Sequence, residues 1–209
     1  MSDPSLLFAF LAAATILTIT PGVDTAMVLR SATVEGRRSA VLASFGIGLG
    51  CLVWGAAVSF GLGALLHASE LAYTVVKLAG AAYLLWLGVQ LLLKPRTAMG
   101  DASGQPAARN GRDAFWRGLL TNLLNPKIGV FYITFLPLFV PRGVGVAGYS
   151  FFLACLHVLL TFAWFAALIA ATAPLGRLLR RPKAVTIMDR LTGVVFVGFA
   201  LKLAASPTR

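Results

Sequence analysis

The sequence predicts an all-α polytopic membrane protein whose six transmembrane helices form two inverted three-helix repeats. Three observations lead to this fold class: the composition, the length of the apolar stretches and a polar segment at the centre of the chain. Of the 209 residues, 58% are hydrophobic and 12% are charged, with a mean hydropathy of +0.85, whereas soluble domains carry about 25% charged residues. The composition therefore excludes a soluble enzyme, a disordered chain and a disulfide-rich mini-protein.

Six apolar stretches are each long enough to cross a hydrocarbon core of about 30 Å as a helix. They cover residues 5–29, 39–66, 71–93, 118–140, 144–173 and 185–205. No basic segment precedes the first stretch, and its polar break falls in the middle of the run. We therefore interpret it as a span and not as a cleaved signal peptide.

Basic residues are concentrated in alternate loops. The first, third and fifth loops hold twelve Lys and Arg residues, whereas the second and fourth loops and the two tails hold only Arg142 and Arg209. Because short cytoplasmic loops are enriched in Lys and Arg, we expect the odd loops to lie in the cytoplasm and both termini outside. This asymmetry accounts for the net charge of +11 without a nucleic-acid partner.

The third loop divides the chain into a first half over 1–93, a linker over 94–117 and a second half over 118–209. The polar, Gly- and Pro-containing linker sequence is typical of a flexible cytoplasmic segment. Three helices per half give the second half the opposite orientation, as in an inverted repeat. KLAGAAY over 77–83 matches RLTGVVF over 190–196, and each half begins with a helix that a proline interrupts.

The two proline interruptions define the candidate site. Their polar or helix-breaking residues are Thr20, Pro21, Gly22, Asp24, Asn122, Asn125, Pro126 and Lys127. Proline removes a backbone hydrogen bond, and inside a membrane the freed carbonyl needs another partner. Paired broken helices in matching halves therefore indicate the substrate site of a transporter.

Asp24 and Lys127 are the charged residues of this site. Lys127 lies ten residues after Arg117, or about 15 Å at helical rise, and Asp24 lies six residues before Arg30, or about 9 Å. Ionisable residues inside spans are costly and are functional by default. The two are natural partners for each other, for a substrate, or for both in turn; the other interpretation is a fixed pair that only stabilises the bundle.

A zwitterionic amino acid suits this arrangement. Its ammonium group would bind Asp24, and its carboxylate would bind Lys127, amide donors or the N-terminal end of a half-helix. Asp24 could instead carry a coupling proton. His157, deep in the fifth span, is a candidate proton relay, although a lone histidine more often bonds a neighbouring helix.

Two other functions stay open. A membrane thiol-redox carrier would use Cys51 and Cys155, although no neighbouring basic group or second thiol activates either cysteine. A divalent-metal exporter would need clustered carboxylates, histidines or thiolates within the spans, where only Asp24 and His157 lie deep. We expect no catalytic residue, metal or cofactor.

Gly46, Gly48 and Gly50 predict close helix packing.

Several motifs together resemble the LysE/RhtB family of amino-acid exporters over essentially the whole chain. They are TPGVD in the first helix, EGRRSAVLASFGIGLG in the second, KLAGAAYLLWLG in the third, and RGLLTNLLNPK with FLPLF in the fourth. The chain departs from the family pattern at Val23, where a second proline is usual, and at Leu138, where glutamine is common.

The resemblance implies six helices in a bacterial inner membrane, in which the charge asymmetry of the loops predicts that both termini are periplasmic. It implies export of amino acids or related metabolites by proton antiport, and not enzymatic activity. The expected partners are a small-molecule substrate, a proton and the lipid bilayer, and a homo-oligomer stays open. Position by position, the resemblance selects Pro21, Gly22, Asp24, Asn122, Asn125, Pro126 and Lys127.

Overall fold

The computed structural model of the protein describes residues 4–68, 70–95, 110–141, 143–172, 177–178 and 181–205. Over these residues the chain is helical and contains no strand. The helices are α1 Pro4–Ile19, α2 Val23–Arg30, α3 Arg37–Ala68, α4 Glu70–Leu93, α5 Gly111–Leu123, α6 Pro126–Phe135, α7 Val146–Ala170 and α8 Pro182–Ala205. A π-helix, Ser31–Glu35, follows α2, and a 3₁₀ helix, Leu136–Phe139, follows α6.

Up to five segments are long and apolar enough to cross a membrane. Three are single helices, over Arg37–Gly61, Val146–Ala170 and Pro182–Leu201. The other two are bent pairs, Pro4–Ile19 with Val23–Glu35 and Gly111–Leu123 with Lys127–Phe139, and each pair is bent by 54°. The apolar part of α4, Leu78–Leu93, is shorter, so six spans stay a prediction.

The central linker is described only at its ends. Residues 96–109 lie outside the described residues. α5 begins at Gly111, so residues 111–117, which the sequence analysis assigns to the linker, are helical. The side chain of Asn110 accepts a hydrogen bond from the backbone N–H of Asp113 at 3.0 Å, and this N-cap explains why the helix begins there.

Helices from the first part of the chain pack against helices from the second part. α3 packs along both α5 and α7, and α4 packs along α8. A Cβ atom on Gly46 would meet the backbone oxygen of Phe115, and one on Gly50 would meet the side chain of Asn122. The predicted close packing is thus confirmed at Gly46, Gly48 and Gly50, whereas a Cβ atom on Gly61 of the same helix would have no neighbour within 4 Å among the described residues.

A cluster of aromatic rings fixes α6 and the 3₁₀ helix that follows it. Phe131, Phe135 and Phe139 recur at every fourth residue and are fully buried. Phe139 lies 5.5 Å from the ring of Phe10 on α1, and Phe135 lies 4.5 Å from the ring of Phe199 on α8. Because lipid tails are as apolar as these rings, the cluster stabilises the bundle by close packing. It also holds the first turn of α6, which carries Lys127.

Candidate functional site

The first break separates α1 from α2 at residues 20–22. Pro21 has no N–H with which to bond the carbonyl of Leu17, so the α-helical pattern cannot continue. Gly22 is the N-cap of α2 and, because it has no side chain, makes no capping hydrogen bond to the helix. The hydroxyl of Thr20 donates to the carbonyl of Ile16 at 2.6 Å and lies 2.6 Å from the hydroxyl of Thr192, which ties the break to α8.

The second break separates α5 from α6 at Leu124 and Asn125. α6 begins at Pro126, a position at which proline is favoured because the first N–H groups of a helix have no partner inside it. The side chain of Asn125 accepts a hydrogen bond from the backbone N–H of Lys127 at 3.1 Å. Asn125 is therefore a helix cap as well as a polar residue of the site.

Lys127 joins the two breaks. Its Nζ atom donates to the carbonyl oxygen of Leu17 at 2.9 Å and to that of Thr20 at 3.1 Å. The Leu17 carbonyl is the one that Pro21 leaves without its helical donor. The ammonium group of one broken helix thus takes the place of the missing amide hydrogen in the other.

Asp24 lies in the first turn of α2 and is bound from α5. Its Oδ2 atom accepts a hydrogen bond from Nδ2 of Asn122 at 2.8 Å, and both residues are buried. The position is favourable for a carboxylate, because the N-terminal end of a helix carries partial positive charge. Within the described residues, Oδ1 of Asp24 is buried and accepts no hydrogen bond.

The two charges do not form a direct ion pair in this conformation of the described residues. Asp24 is bonded by Asn122, and the ammonium group of Lys127 is bonded by backbone carbonyls. Lys127 and Asp24 line the same cavity. Each charge is thus bound by a polar partner in this conformation, and the pairing of Asp24 and Lys127 with each other or with a substrate stays a prediction.

A cavity of about 30 Å³ lies where the two breaks meet. Its lining includes Leu17, Thr18, Thr20, Gly22, Asp24, Thr25, Cys51, Asn125, Lys127, Ile128, His157, Thr161 and Phe165. A cavity of this volume has room for only a few water molecules, and a ligand site is typically about tenfold larger. The cavity is small and partly open, and its polar groups lie close together.

The predicted site residues divide into three groups by their position. Thr20, Gly22, Asp24, Asn125, Lys127 and His157 line the cavity. Asn122 does not line the cavity; it bonds Asp24 and also donates to Sγ of Cys51 at 3.4 Å. Pro21 and Pro126 form the breaks themselves.

His157 projects from α7 into the same cavity. Its Nδ1 atom lies 2.9 Å from the hydroxyl of Tyr132, and its ring lies 5.1 Å from that of Phe131. Sequence analysis missed Tyr132, because a tyrosine in an apolar helix carries no pattern that distinguishes it from other aromatic residues. Only the packing of α6 against α7 brings it to the histidine.

Glu35 is a second residue that the sequence analysis missed. Its side chain is only 5% exposed, and its Oε1 atom lies 3.3 Å from Arg30 and 3.7 Å from Arg117. It ends the π-helix, and Gly36 follows with a φ of 94°, a conformation that favours glycine. The cluster ties the end of α2 to α5, within a loop where the sequence shows only a mixture of charges.

Comparison with known proteins identifies the family. The model of the LysE type translocators matches residues 15–206. The chain belongs to this family. The resemblance found in the sequence motifs is thereby confirmed. No solved structure matches the chain.

Curated relatives of this translocator match nearly their whole length. A protein named "Leucine efflux protein" from Klebsiella pneumoniae is 32% identical over 200 residues, which cover 93% of this chain and 92% of that protein. "Threonine efflux protein" from Salmonella typhi is 31% identical over 192 residues, with 90% and 92% covered. "Uncharacterized membrane protein YrhP" from Bacillus subtilis is 28% identical over 207 residues, with 96% and 99% covered.

The family and its named members indicate a transporter, and with the apolar helices they support a multi-pass membrane protein. In the residues that the structure describes, no three His, Cys, Asp or Glu side chains lie together as metal ligands would. Cys51 and Cys155 are both free thiols, the first buried and the second half-buried. These observations on the described residues do not favour the thiol-redox or the metal-export alternative for this translocator.

Proposed function

We propose that this protein is a secondary active exporter that moves amino acids or related small metabolites from cytoplasm to periplasm in exchange for protons. One observation carries the proposal: two broken helices meet at a cavity lined by one carboxylate and one ammonium group, Asp24 and Lys127. Buried ionisable groups at paired helix breaks are the arrangement that transporters use to bind polar substrates at mid-membrane.

The chemistry of the lining suits an α-amino acid. Lys127 and the N-terminal end of α2 would bind the substrate carboxylate, and Asp24 would bind its ammonium group. Leu17, Ile128 and Phe165 add apolar surface for a side chain. Because relatives are named as leucine and threonine efflux proteins, leucine and threonine are the first substrates to test.

Substrate binding requires the site to change. A cavity with room for only a few water molecules is too small for an amino acid, so in this proposal the two breaks separate to admit one. The incoming carboxylate would displace the carbonyls of Leu17 and Thr20 from the ammonium group of Lys127. In this proposal the charge that closes the empty site is the charge that binds the substrate.

Asp24 is the proposed site of proton coupling. Its Oδ1 atom, which accepts no hydrogen bond from the described residues, can take up a proton without breaking the bond between Oδ2 and Asn122. A protonated Asp24 would bind an ammonium group weakly, and an ionised Asp24 would bind it strongly. Proton and substrate would therefore compete for one residue, which is a basis for exchange.

The proposal includes the membrane arrangement. Six spans in an inner membrane, arranged as two inverted repeats with both termini periplasmic, would place the ion cluster of Glu35, Arg30 and Arg117 at the cytoplasmic end. Both broken helices are bent by the same 54°, which supports a repeat. Alternating access would expose the cavity to each side of the membrane in turn.

Release of amino acids from cells fed with dipeptides tests this function. Cells with the protein, with Asp24→Asn or with empty vector are compared at matched membrane expression. We expect excess release of one or a few amino acids with the wild-type protein and at least a tenfold loss with Asp24→Asn. Asp113→Asn, in the first turn of α5 and outside the cavity, is the matched control and should release normally. Wild-type release equal to that of empty vector, for every amino acid, would reject amino-acid export.

A further inference from the structure

One face of α7 supplies a wall of the cavity. His157, Thr161 and Phe165 follow one another at intervals of four residues, and all three line it. Residues four apart lie on the same face of a helix. The hydroxyl of Thr161 donates to the backbone oxygen of His157 at 2.9 Å, so its one O–H is used within its own helix and it can only accept from a ligand. The imidazole of His157 is thus the side chain of this wall that remains to donate to a ligand.

Tyr132 forms a hydrogen bond with the imidazole of His157. The tyrosine hydroxyl and Nδ1 of His157 are 2.9 Å apart, and both side chains are buried. We assign the hydroxyl as the donor to Nδ1, because a phenol O–H is a stronger donor than an imidazole N–H and an unprotonated imidazole nitrogen is a good acceptor. A neutral imidazole that accepts at Nδ1 carries its hydrogen on Nε2.

The rest of the imidazole is held by packing. The ring of Phe131 lies 5.1 Å from that of His157, at an interplanar angle of 46°. Tyr132 and Phe131 thus hold the orientation of the ring from α6, and with the hydroxyl as donor Tyr132 also selects the tautomer. Among the described residues the only hydrogen bond of the imidazole is the one at Nδ1, which leaves the N–H of Nε2 for a ligand in the cavity.

We infer that His157 is a substrate-binding residue that donates from Nε2 to the carboxylate of the bound amino acid, next to Lys127, and that Tyr132 is its positioning residue. This inference rests on the proposed function and assigns to His157 a different role from that of a proton relay. A donor at Nε2 complements the ammonium group of Lys127 on the same cavity, whereas Asp24 provides the acceptor for the other end of the substrate.

Counterflow of labelled leucine or threonine into proteoliposomes of the purified full-length protein tests the assignment. Tyr132→Phe removes one hydroxyl and keeps the ring, so the fold should persist. We expect the KM to rise about fivefold, the factor that corresponds to one neutral hydrogen bond of about 1 kcal/mol, with a maximal rate within twofold of wild type. The control is Tyr149→Phe, half-buried on α7 beside Phe152 and outside the cavity, which should leave the KM unchanged.

A second pair of variants separates binding from a purely structural role. His157→Gln keeps an N–H donor and should raise the KM less than His157→Leu does. Competition by the amide of the same amino acid, which lacks a carboxylate, gives a further measure. Wild type should prefer the acid, and this preference should shrink in Tyr132→Phe and His157→Leu.

The outcomes are distinguishable. An unchanged KM and an unchanged preference for the acid in Tyr132→Phe would overturn the role of His157 while leaving the exporter function intact. Equal loss of maximal rate in all the His157 and Tyr132 variants, without a change in KM, would also overturn it, because that result indicates structure or proton transfer. A wild-type protein without counterflow of either amino acid would overturn both the function and this inference.

Discussion

Each charge of the site is bound by a partner on the opposite broken helix. Asp24, which follows the first break, accepts from Asn122, which precedes the second. Lys127, which follows the second break, donates to one carbonyl just before the first break and to one within it. An unpaired charge at mid-membrane costs several kcal/mol, on the order of 3. The two polar contacts therefore stabilise the closed arrangement without neutralising the charges in a direct pair.

Asn122→Leu tests the bond to Asp24. The substitution keeps the side-chain volume but leaves a buried carboxylate without its donor, so we expect the protein to lose about 1.5–3 kcal/mol of stability. Asp24→Leu with Asn122→Leu should recover part of this loss, because the acceptor is removed as well. Thermal or denaturant unfolding in detergent measures the double-mutant cycle. Strictly additive effects of the two substitutions would mean that the bond contributes nothing.

The sequence predicts the members of the site better than their contacts. Asp24, Lys127, Asn122 and Asn125 are conspicuous because polar residues are rare in apolar spans. The sequence could not predict that the ammonium group of Lys127 bonds backbone carbonyls. This contact depends on how the two breaks approach each other in space, although they are about 100 residues apart in the chain. Tyr132 was missed because an aromatic residue in an apolar helix is unremarkable until its neighbours are known.

At the scale of elements, the two breaks are the functional units. The prolines allowed both breaks to be predicted from the sequence, because proline removes a backbone donor and disfavours a helical conformation in the residue before it. The 54° bend of each pair did not follow from the sequence, because the angle depends on what fills the break. In the first break that group is the side chain of Lys127, supplied by the second.

Pro21→Ala tests whether the first break is held open for function. Alanine restores an N–H that can donate to the carbonyl of Leu17 in place of Lys127. We expect a gain in stability of roughly 1–3 kcal/mol, near the cost of a proline inside a helix, together with at least a tenfold loss of export. Unfolding in detergent and the dipeptide export assay measure the two effects.

Pro182→Ala is the matched control for this prediction. Pro182 is the first residue of α8 and is exposed, where proline costs no helical bond, so both stability and export should be close to wild type. Normal export by Pro21→Ala would show that the break is a simple kink.

At the scale of the whole molecule, the helices of the two halves are interleaved around the site. α3 contacts α5 and α7 and α4 contacts α8, so residues from both parts of the chain surround the cavity. The sequence predicted the all-helical membrane class from composition, whereas the division into two halves at the polar linker stays a prediction. Six spans and the inverted symmetry stay predictions, because the apolar part of α4 is short and residues 96–109 lie outside the described part of the chain.

The central claim is that amino acid and proton exchange at Asp24 and Lys127. It is tested most directly by proton flux in proteoliposomes loaded with leucine or threonine and diluted into amino-acid-free buffer, with a pH-sensitive dye inside. Efflux of the amino acid through the wild-type protein should acidify the lumen. Asp24→Asn should abolish the proton flux, and Lys127→Gln should slow both fluxes at least tenfold. Wild-type efflux without acidification, or proton flux in Asp24→Asn equal to that of wild type, would contradict the account.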